Sequence, residues 1–129
     1  MRFPHVKAIA AIGNFGQIGH DGKLPWHDRR DLAHFKALTT GGLCIVGKRT
    51  AHTLPELPGR DLYIWQRGDD PVRFAEKNGH RDIWIIGGAV VYRIWLPFVS
   101  MTVLTHIDYS TKCDTYMPFL WRMPTKRDT

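Results

Sequence analysis

Four short apolar runs occur along the chain without the alternation of apolar and polar positions that marks a half-buried strand. They occupy residues 6–12, 43–46, 62–65 and 83–86. Nearly continuous apolar runs of this length are typical of strands that are covered on both faces, as in a parallel sheet with helices on each side. A fifth run, residues 101–107, mixes Thr, Val and Leu and is also predicted to form a strand.

Helices are predicted between these strands. Asp28 is a suitable N-cap for a helix over about residues 29–38, which the glycines at positions 41 and 42 end. Shorter helices are predicted at residues 50–54 and 89–96, each ending before a proline. Long loops are expected at residues 13–27 and 66–80. Together these elements predict an α/β fold with one mostly parallel central sheet, flanking helices and a single domain over residues 1–129.

Composition narrows the class of protein. The 129 residues are 43% hydrophobic and 23% charged, which is ordinary for a globular domain, and no apolar run is long enough to span a bilayer. The N-terminus does not resemble a signal peptide, and two cysteines, Cys44 and Cys113, do not suggest a disulfide framework. A cytoplasmic location is therefore expected.

The net charge of +6 is compatible with two kinds of partner. Basic residues favour either nucleic acid or small anionic ligands such as a dinucleotide phosphate. Most of them are scattered singly or in pairs, and the densest cluster lies in the last residues, 122–127. No basic face interleaved with aromatic residues is evident, so a small anionic ligand is favoured over nucleic acid.

Two segments directly follow predicted strands and could bind an anion. Residues 47–50 read Gly-Lys-Arg-Thr, and residues 86–89 read Ile-Gly-Gly-Ala. Open α/β sheets bind ligands at the carboxyl ends of their strands, where glycines allow backbone N–H groups to approach a phosphate. The alternatives are a solvated helix start for the first segment and a tight turn without a ligand for the second. The spacing is not that of the G-x-G-x-x-G dinucleotide fingerprint.

Asp31 is the candidate for acid–base chemistry. It lies in the first turn of the predicted helix, four residues before Phe35, so the carboxyl group and the aromatic ring share a helix face. Burial beside apolar groups would favour the neutral carboxyl, whereas the helix N-terminus would favour the anion. The alternative is a carboxylate that faces water and interacts only with the helix dipole.

The loop before this helix ends in Trp26 and is either a mobile lid over a site or an ordinary surface loop. The seven histidines lack the spacing of a metal site, and no C-x-x-C motif is present, so no metal is expected. The sequence also contains neither a G-x-S-x-G nucleophile motif nor a phosphate-binding P-loop.

Taken in order, these segments strongly resemble dihydrofolate reductase over about residues 6–118. The similarity is carried by Ala10-Ala11, Ile18-Gly19, Leu24-Pro25-Trp26, Asp31 to Lys36, Gly47 to Thr50, Leu57-Pro58-Gly59-Arg60, Ile86 to Ala89 with Tyr92, Leu104 to Ile107, Asp114-Thr115 and Pro118.

The resemblance implies a reductase that uses NADPH to convert 7,8-dihydrofolate to 5,6,7,8-tetrahydrofolate. Hydride would pass to pterin C6 and a proton to N5. Because tetrahydrofolate serves one-carbon metabolism, the protein would act in that metabolism and would be an antifolate target. Asp31 would bind the pterin, Thr105 would hydrogen-bond Asp31, and Arg60 would bind the glutamate carboxylate of the substrate.

The resemblance also implies which residues form the site. The expected catalytic residues are Asp31, Trp26 and Thr105. The expected substrate-binding residues are Ile9, Ala10, Leu24, Leu32, Phe35, Leu54, Leu57, Arg60 and Ile86. The expected cofactor-binding residues are Ala11, Ile18, Gly19, Gly47, Lys48, Arg49, Thr50, Arg67, Gly87, Gly88, Ala89, Val90 and Tyr92.

Three features depart from the family pattern. The final antiparallel strand pair of the family is not recognisable, and a basic tail occupies about residues 121–129. The strand at 101–107 would then have a bare edge, which predicts a homodimer or another covering of that edge. Val90 replaces an arginine that many relatives place near the adenosine phosphate. A preference for NADPH over NADH would then depend on Lys48, Arg49 and Arg67 to supply the missing positive charge. The segment between Trp65 and Asp82 is short, which predicts a trimmed adenine-side lobe.

Two other functions remain open for this fold. One is a reductase of another pterin or pyrimidine substrate. The other is a non-catalytic relative that serves as a binding or structural protein.

Overall fold

The computed structural model describes residues 1–20, 24, 26, 28–118 and the backbone of 125–128. Six strands within these residues form a sheet in the order β4-β3-β5-β1-β6-β8, and every pair in it is parallel. Two short strands, β2 and β7, form a separate antiparallel pair. The strands are β1 (Phe3–Ile12), β2 (Gln17–Gly19), β3 (Leu43–Val46), β4 (Asp61–Ile64), β5 (Ile83–Gly87), β6 (Val99–His106), β7 (Thr115–Tyr116) and β8 (Thr125–Asp128).

The described helices are α1 (Arg29–Thr39), α2 (Lys48–Ala51), α3 (Pro71–Lys77) and α4 (Ala89–Trp95), followed by a 3₁₀ turn at Leu96–Phe98. The predicted N-cap of α1 is confirmed, because the Asp28 carboxylate accepts hydrogen bonds from the backbone N–H groups of Arg30 (2.9 Å) and Asp31 (3.1 Å). None of the helices in the described part of the chain has the length and apolar character needed to cross a membrane.

The core confirms the parallel-sheet prediction. Val6, Ala8, Ile83 and Ile85 have no exposed surface, since β1 and β5 lie inside the sheet with elements packed on both faces. On one face, Trp95 is fully buried against Trp65 and Phe74. The edge strand β4 is the exception, because Leu62 is 44% exposed despite its apolar sequence.

Three predicted elements are corrected. The helix expected at 50–54 begins earlier, at Lys48. The loop expected at 66–80 contains α3, with the Asp70 carboxylate capping the N–H of Val72 (3.0 Å) and Pro71 in the first turn. The loop expected at 13–27 contains β2, which pairs with β7. Of that loop, residues 21–23, 25 and 27 lie outside the described residues.

The edge of β6 is not bare, and of the two coverings expected for it, a homodimer or another device, the structure shows the second. Strand β8, in the predicted basic tail, runs parallel to β6 and pairs Thr102 with Thr125 and Thr105 with Asp128. A segment of the same chain therefore covers the edge, which removes the basis for predicting a homodimer there.

Candidate active site

A cleft of about 1150 Å³ opens at the carboxyl ends of the central strands. Its floor is formed by the ends of β1 and β5, and α1 and α2 contribute its sides. This is the edge of an open parallel sheet at which ligands generally bind. The cleft is lined by all of the predicted site residues except Leu57, Arg60 and Thr105.

Asp31 is held in the first turn of α1, with its half-buried carboxyl group lining the cleft. Burial is the main cause that raises the pKa of this carboxyl group, and the nearby Asp28 carboxylate raises it further. His34 and a hydrogen bond from the Thr105 hydroxyl oppose that rise. Asp31 therefore takes up a proton at a higher pH than a free aspartate does. Such a raised pKa suits a carboxyl group that takes part in proton transfer.

Apolar side chains form the walls around Asp31. Leu24 and Leu32 are 46% and 44% exposed, and both line the cleft, so their exposed surface is available to an apolar ligand. Trp26 packs against Tyr109 in a tilted arrangement with ring centroids 5.3 Å apart. The indole N–H of Trp26 is buried and has no hydrogen-bond partner among the described residues, which leaves a donor beside the cleft.

The other end of the cleft is built from glycines. A Cβ atom on Gly88 would lie 2.9 Å from the Thr50 hydroxyl, and one on Gly47 would lie 3.2 Å from Val91. The Gly87–Gly88 peptide bond is cis, and the N–H of Gly47 donates to the carbonyl of Gly87 (2.8 Å). A side chain at Gly47 or Gly88 would crowd the space where β3 and β5 end side by side.

Positive charge lies beside these glycines. Lys48 and Arg49 are exposed at the start of α2 and line the cleft, and Arg67 lines it from the segment after β4. A ligand in this end of the cleft would meet exposed cations and backbone N–H groups, the arrangement that suits phosphate.

Tyr92 connects two sides of the cleft. Its buried hydroxyl donates a 2.6 Å hydrogen bond to the carbonyl of Ile9, which ties α4 to β1. Burial, and secondarily the negative charge of Asp31, raises the pKa of the Tyr92 phenol well above its ordinary value. The phenol therefore stays protonated and serves as a hydrogen-bond donor.

Three predicted residues lie outside the cleft lining. Thr105 is next to it, because its hydroxyl bonds the Asp31 carboxyl group from the side of β6. The Arg60 guanidinium lies over the Phe35 ring, 5.5 Å from its centroid, and donates to the Thr39 hydroxyl (3.3 Å). Leu57 is half-buried, and its carbonyl accepts from the N–H of Arg60 (3.3 Å).

Other cleft residues were not predicted. Trp65, Gln66 and Asp69 follow β4, so the rule that ligands bind at the carboxyl ends of strands could have identified them. Asp114 and Thr115 reach the cleft through the pairing of β7 with β2. No local sequence signal indicates that pairing.

The model of the dihydrofolate reductase family matches residues 5–127. Dihydrofolate reductase type 3 of Salmonella typhimurium is 33% identical over 126 residues, which span 88% of this chain and 78% of that protein. Dihydromethanopterin reductase of Methylorubrum extorquens is 28% identical over 124 residues, which span 90% of this chain and 92% of that protein.

A solved structure shows the same fold. Dihydrofolate reductase from Enterococcus faecalis, complexed with NADP(H) and RAB-propyl, superposes with a TM-score of 0.75 at 27% sequence identity. The match covers 92% of this chain and 80% of that one. With a family model that matches nearly the whole chain, a relative above 30% identity and a shared fold, this chain belongs to the dihydrofolate reductase family.

Proposed function

We propose that this protein reduces 7,8-dihydrofolate to 5,6,7,8-tetrahydrofolate with NADPH. The observation that carries the proposal is the position of Asp31, a half-buried carboxyl group with a raised pKa that lines the cleft together with the apolar side chains of Leu32 and Phe35. A pterin ring offers an amino group and a ring nitrogen to such a carboxyl group and two apolar faces to the walls. Family membership and the NADP(H) bound in the Enterococcus faecalis relative support the same activity.

The glycine-lined end of the cleft fits the cofactor. Gly47 and Gly88 leave space where a Cβ atom would crowd Val91 and Thr50, and Lys48 and Arg49 supply cations for phosphate. Arg67 is placed to add charge where Val90, which is 63% exposed, offers none. When bound, NADPH supplies a hydride from nicotinamide C4 to pterin C6.

The remaining chemistry belongs to the residues of this chain. Asp31 would hold the pterin by hydrogen bonds and favour protonation at N5, and Thr105 would keep the carboxyl group oriented. Leu32 and Phe35 would exclude water from one side of the ring. Most of the rate enhancement would come from positioning two ring systems against each other, with one proton transfer assisted by Asp31.

The proposal is tested by following NADPH oxidation with dihydrofolate in the parent protein and in Asp31→Asn. We expect the variant to lose about 10²–10⁴-fold in rate, because an amide cannot exchange the proton. Asp82→Asn is the matched control, since this carboxylate pairs with Lys7 (3.5 Å) outside the cleft. An Asp31→Asn variant that keeps the parent rate would refute the assigned role of Asp31. A folded parent protein that shows no turnover would refute the proposed activity.

A second candidate is a reductase of a dihydropterin with a different tail. Two observations favour it. The match covers 92% of the dihydromethanopterin reductase but 78% of the type 3 dihydrofolate reductase. In addition, Arg60, which would bind the folate glutamate, lies outside the cleft lining and already donates a hydrogen bond to Thr39. The two candidates are separated by comparing kcat/KM for dihydrofolate and for a dihydropterin without the aminobenzoylglutamate tail. Arg60→Gln should lower kcat/KM for dihydrofolate alone if dihydrofolate is the substrate.

A further inference from the structure

A second, smaller cavity lies behind the Asp31 carboxyl group. It has a volume of about 250 Å³ and is formed between the first turns of α1 and the carboxyl end of β6. All of its lining residues except Ile107 carry polar or charged side chains. The residues that line it are Asp28, Arg30, Asp31, His34, Thr105, His106 and Ile107.

Asp31 lines both this rear cavity and the main cleft. A substrate in the main cleft would therefore contact Asp31 without occupying the rear cavity. The Thr105 hydroxyl, which hydrogen-bonds the Asp31 carboxyl group, and His34 both line the rear cavity and not the main cleft. The groups in the rear cavity can thus influence Asp31 while substrate is bound.

Several titratable or charged groups face Asp31. From α1 and its cap come Asp28, Arg30 and His34, from β6 comes His106, and from α4 comes Tyr92, which the charge of Asp31 affects. Arg30 and His106 are exposed, so water and salt screen their charges. His34 is half-buried, lies three residues after Asp31 on the same helix and lines the same cavity.

We propose that His34 is a positioning residue for the reduction, which from the rear cavity uses the charge of its imidazole to control when the Asp31 carboxyl group takes up a proton. This inference rests on the proposed function for its catalytic meaning. Three basic side chains line the rear cavity, and His34 is the half-buried one, whereas Arg30 and His106 are exposed. A positive charge on His34 would therefore act on Asp31 with less screening by water and salt than a charge on Arg30 or His106.

The sign of the effect follows from the charges. A cationic imidazole stabilises the carboxylate form of Asp31, in agreement with the lowering of the Asp31 pKa by His34. Replacing His34 by Gln removes that charge, so Asp31 should hold its proton to a higher pH. Replacing it by Lys keeps a positive charge at every relevant pH, so Asp31 should lose its proton at a lower pH than in the Gln variant.

The direct test is a ¹³C NMR titration of the Asp31 carboxyl carbon in the parent protein, His34→Gln and His34→Lys. We expect the proton affinity of Asp31 to differ by about threefold to tenfold between the two variants, with Gln the higher. His80→Gln is the matched control, since His80 is exposed in the turn before β5, and its titration should follow that of the parent. Identical titrations in the Gln and Lys variants, or a displacement in the same direction in both, would overturn the proposal.

The kinetic test is the pH dependence of single-turnover reduction in the same proteins. The decline in rate at rising pH should come at a higher pH in His34→Gln than in His34→Lys. A purely structural role for His34 would lower the rates without displacing the profile, and this result would also overturn the proposal. The NMR titration needs no turnover, so a failure of the proposed reductase activity is distinguishable from a failure of the assignment to His34.

Discussion

The hydrogen bond from Tyr92 to the carbonyl of Ile9 should contribute measurably to stability. It is a 2.6 Å bond between a 4% exposed tyrosine and a 5% exposed isoleucine, and it joins α4 to the central strand of the sheet. Tyr92→Phe removes the donor and leaves the ring in place, so the Ile9 carbonyl becomes a buried acceptor without this partner. Leaving a buried acceptor unsatisfied costs about 1–3 kcal/mol.

The corresponding change in melting temperature follows from the size of the chain. An unfolding entropy of about 2.1 cal/mol/K per residue gives roughly 0.27 kcal/mol/K for a protein of this length. A loss of about 1–3 kcal/mol therefore lowers the midpoint by roughly 4–11 °C. Urea denaturation monitored by tryptophan fluorescence and thermal unfolding monitored by circular dichroism measure the two quantities independently.

Tyr63→Phe provides a matched control. The Tyr63 hydroxyl donates to the Asp69 carboxylate over 2.8 Å, but Tyr63 is only partly buried, so water can replace the lost bond. We expect this variant to lose less than about 1 kcal/mol. Equal losses in the two variants would show that burial of the Ile9 carbonyl does not set the cost. A Tyr92→Phe protein as stable as its parent would refute the reasoning entirely.

Two further predictions concern the cleft. Because the pKa of Asp31 is raised in the folded state, its favourable contribution to stability is present in acid and is lost as the pH rises through the folded pKa. Asp31→Asn should therefore have a higher free energy of unfolding than the parent at pH 8, and the difference should shrink towards pH 4. Urea denaturation at the two pH values measures it, and a difference that does not change with pH would contradict the reasoning. Gly88→Ala should weaken NADPH binding in calorimetry, since its Cβ would lie 2.9 Å from the Thr50 hydroxyl, whereas Gly79→Ala, with its nearest atom at 3.6 Å, should bind like the parent.

The central strands and α1 could be predicted because their causes are local. The apolar runs in β1, β3 and β5 reflect burial on both faces, and Asp28 caps α1 through its own side chain. Helix α3 also had a local signal, the capping residue Asp70 followed by Pro71, but the polar composition of the segment favoured a loop. This capping signal by itself predicts a helix that begins at Pro71.

The remaining features depend on pairing between distant segments. Strand β8 has the sequence Thr-Lys-Arg-Asp, which favours no strand, and only the free edge of β6 explains its conformation. Similarly, the resemblance to the family indicates Asp31, but the rear cavity exists only because residues 105–107 lie behind α1. His34 therefore could not be distinguished in the sequence from the other histidines.

The central position of β1 has a consequence for biosynthesis. Residue 6 pairs with residue 83, and residue 8 pairs with residue 102, so neither neighbour of β1 has been synthesised when β1 leaves the ribosome. At about 5–20 residues per second, residue 102 follows residue 8 by roughly 5–20 s. During this interval an apolar strand has no partner from its own sheet and is exposed to aggregation. Strand β1 can therefore take its place in the sheet only after β5 and β6 have emerged.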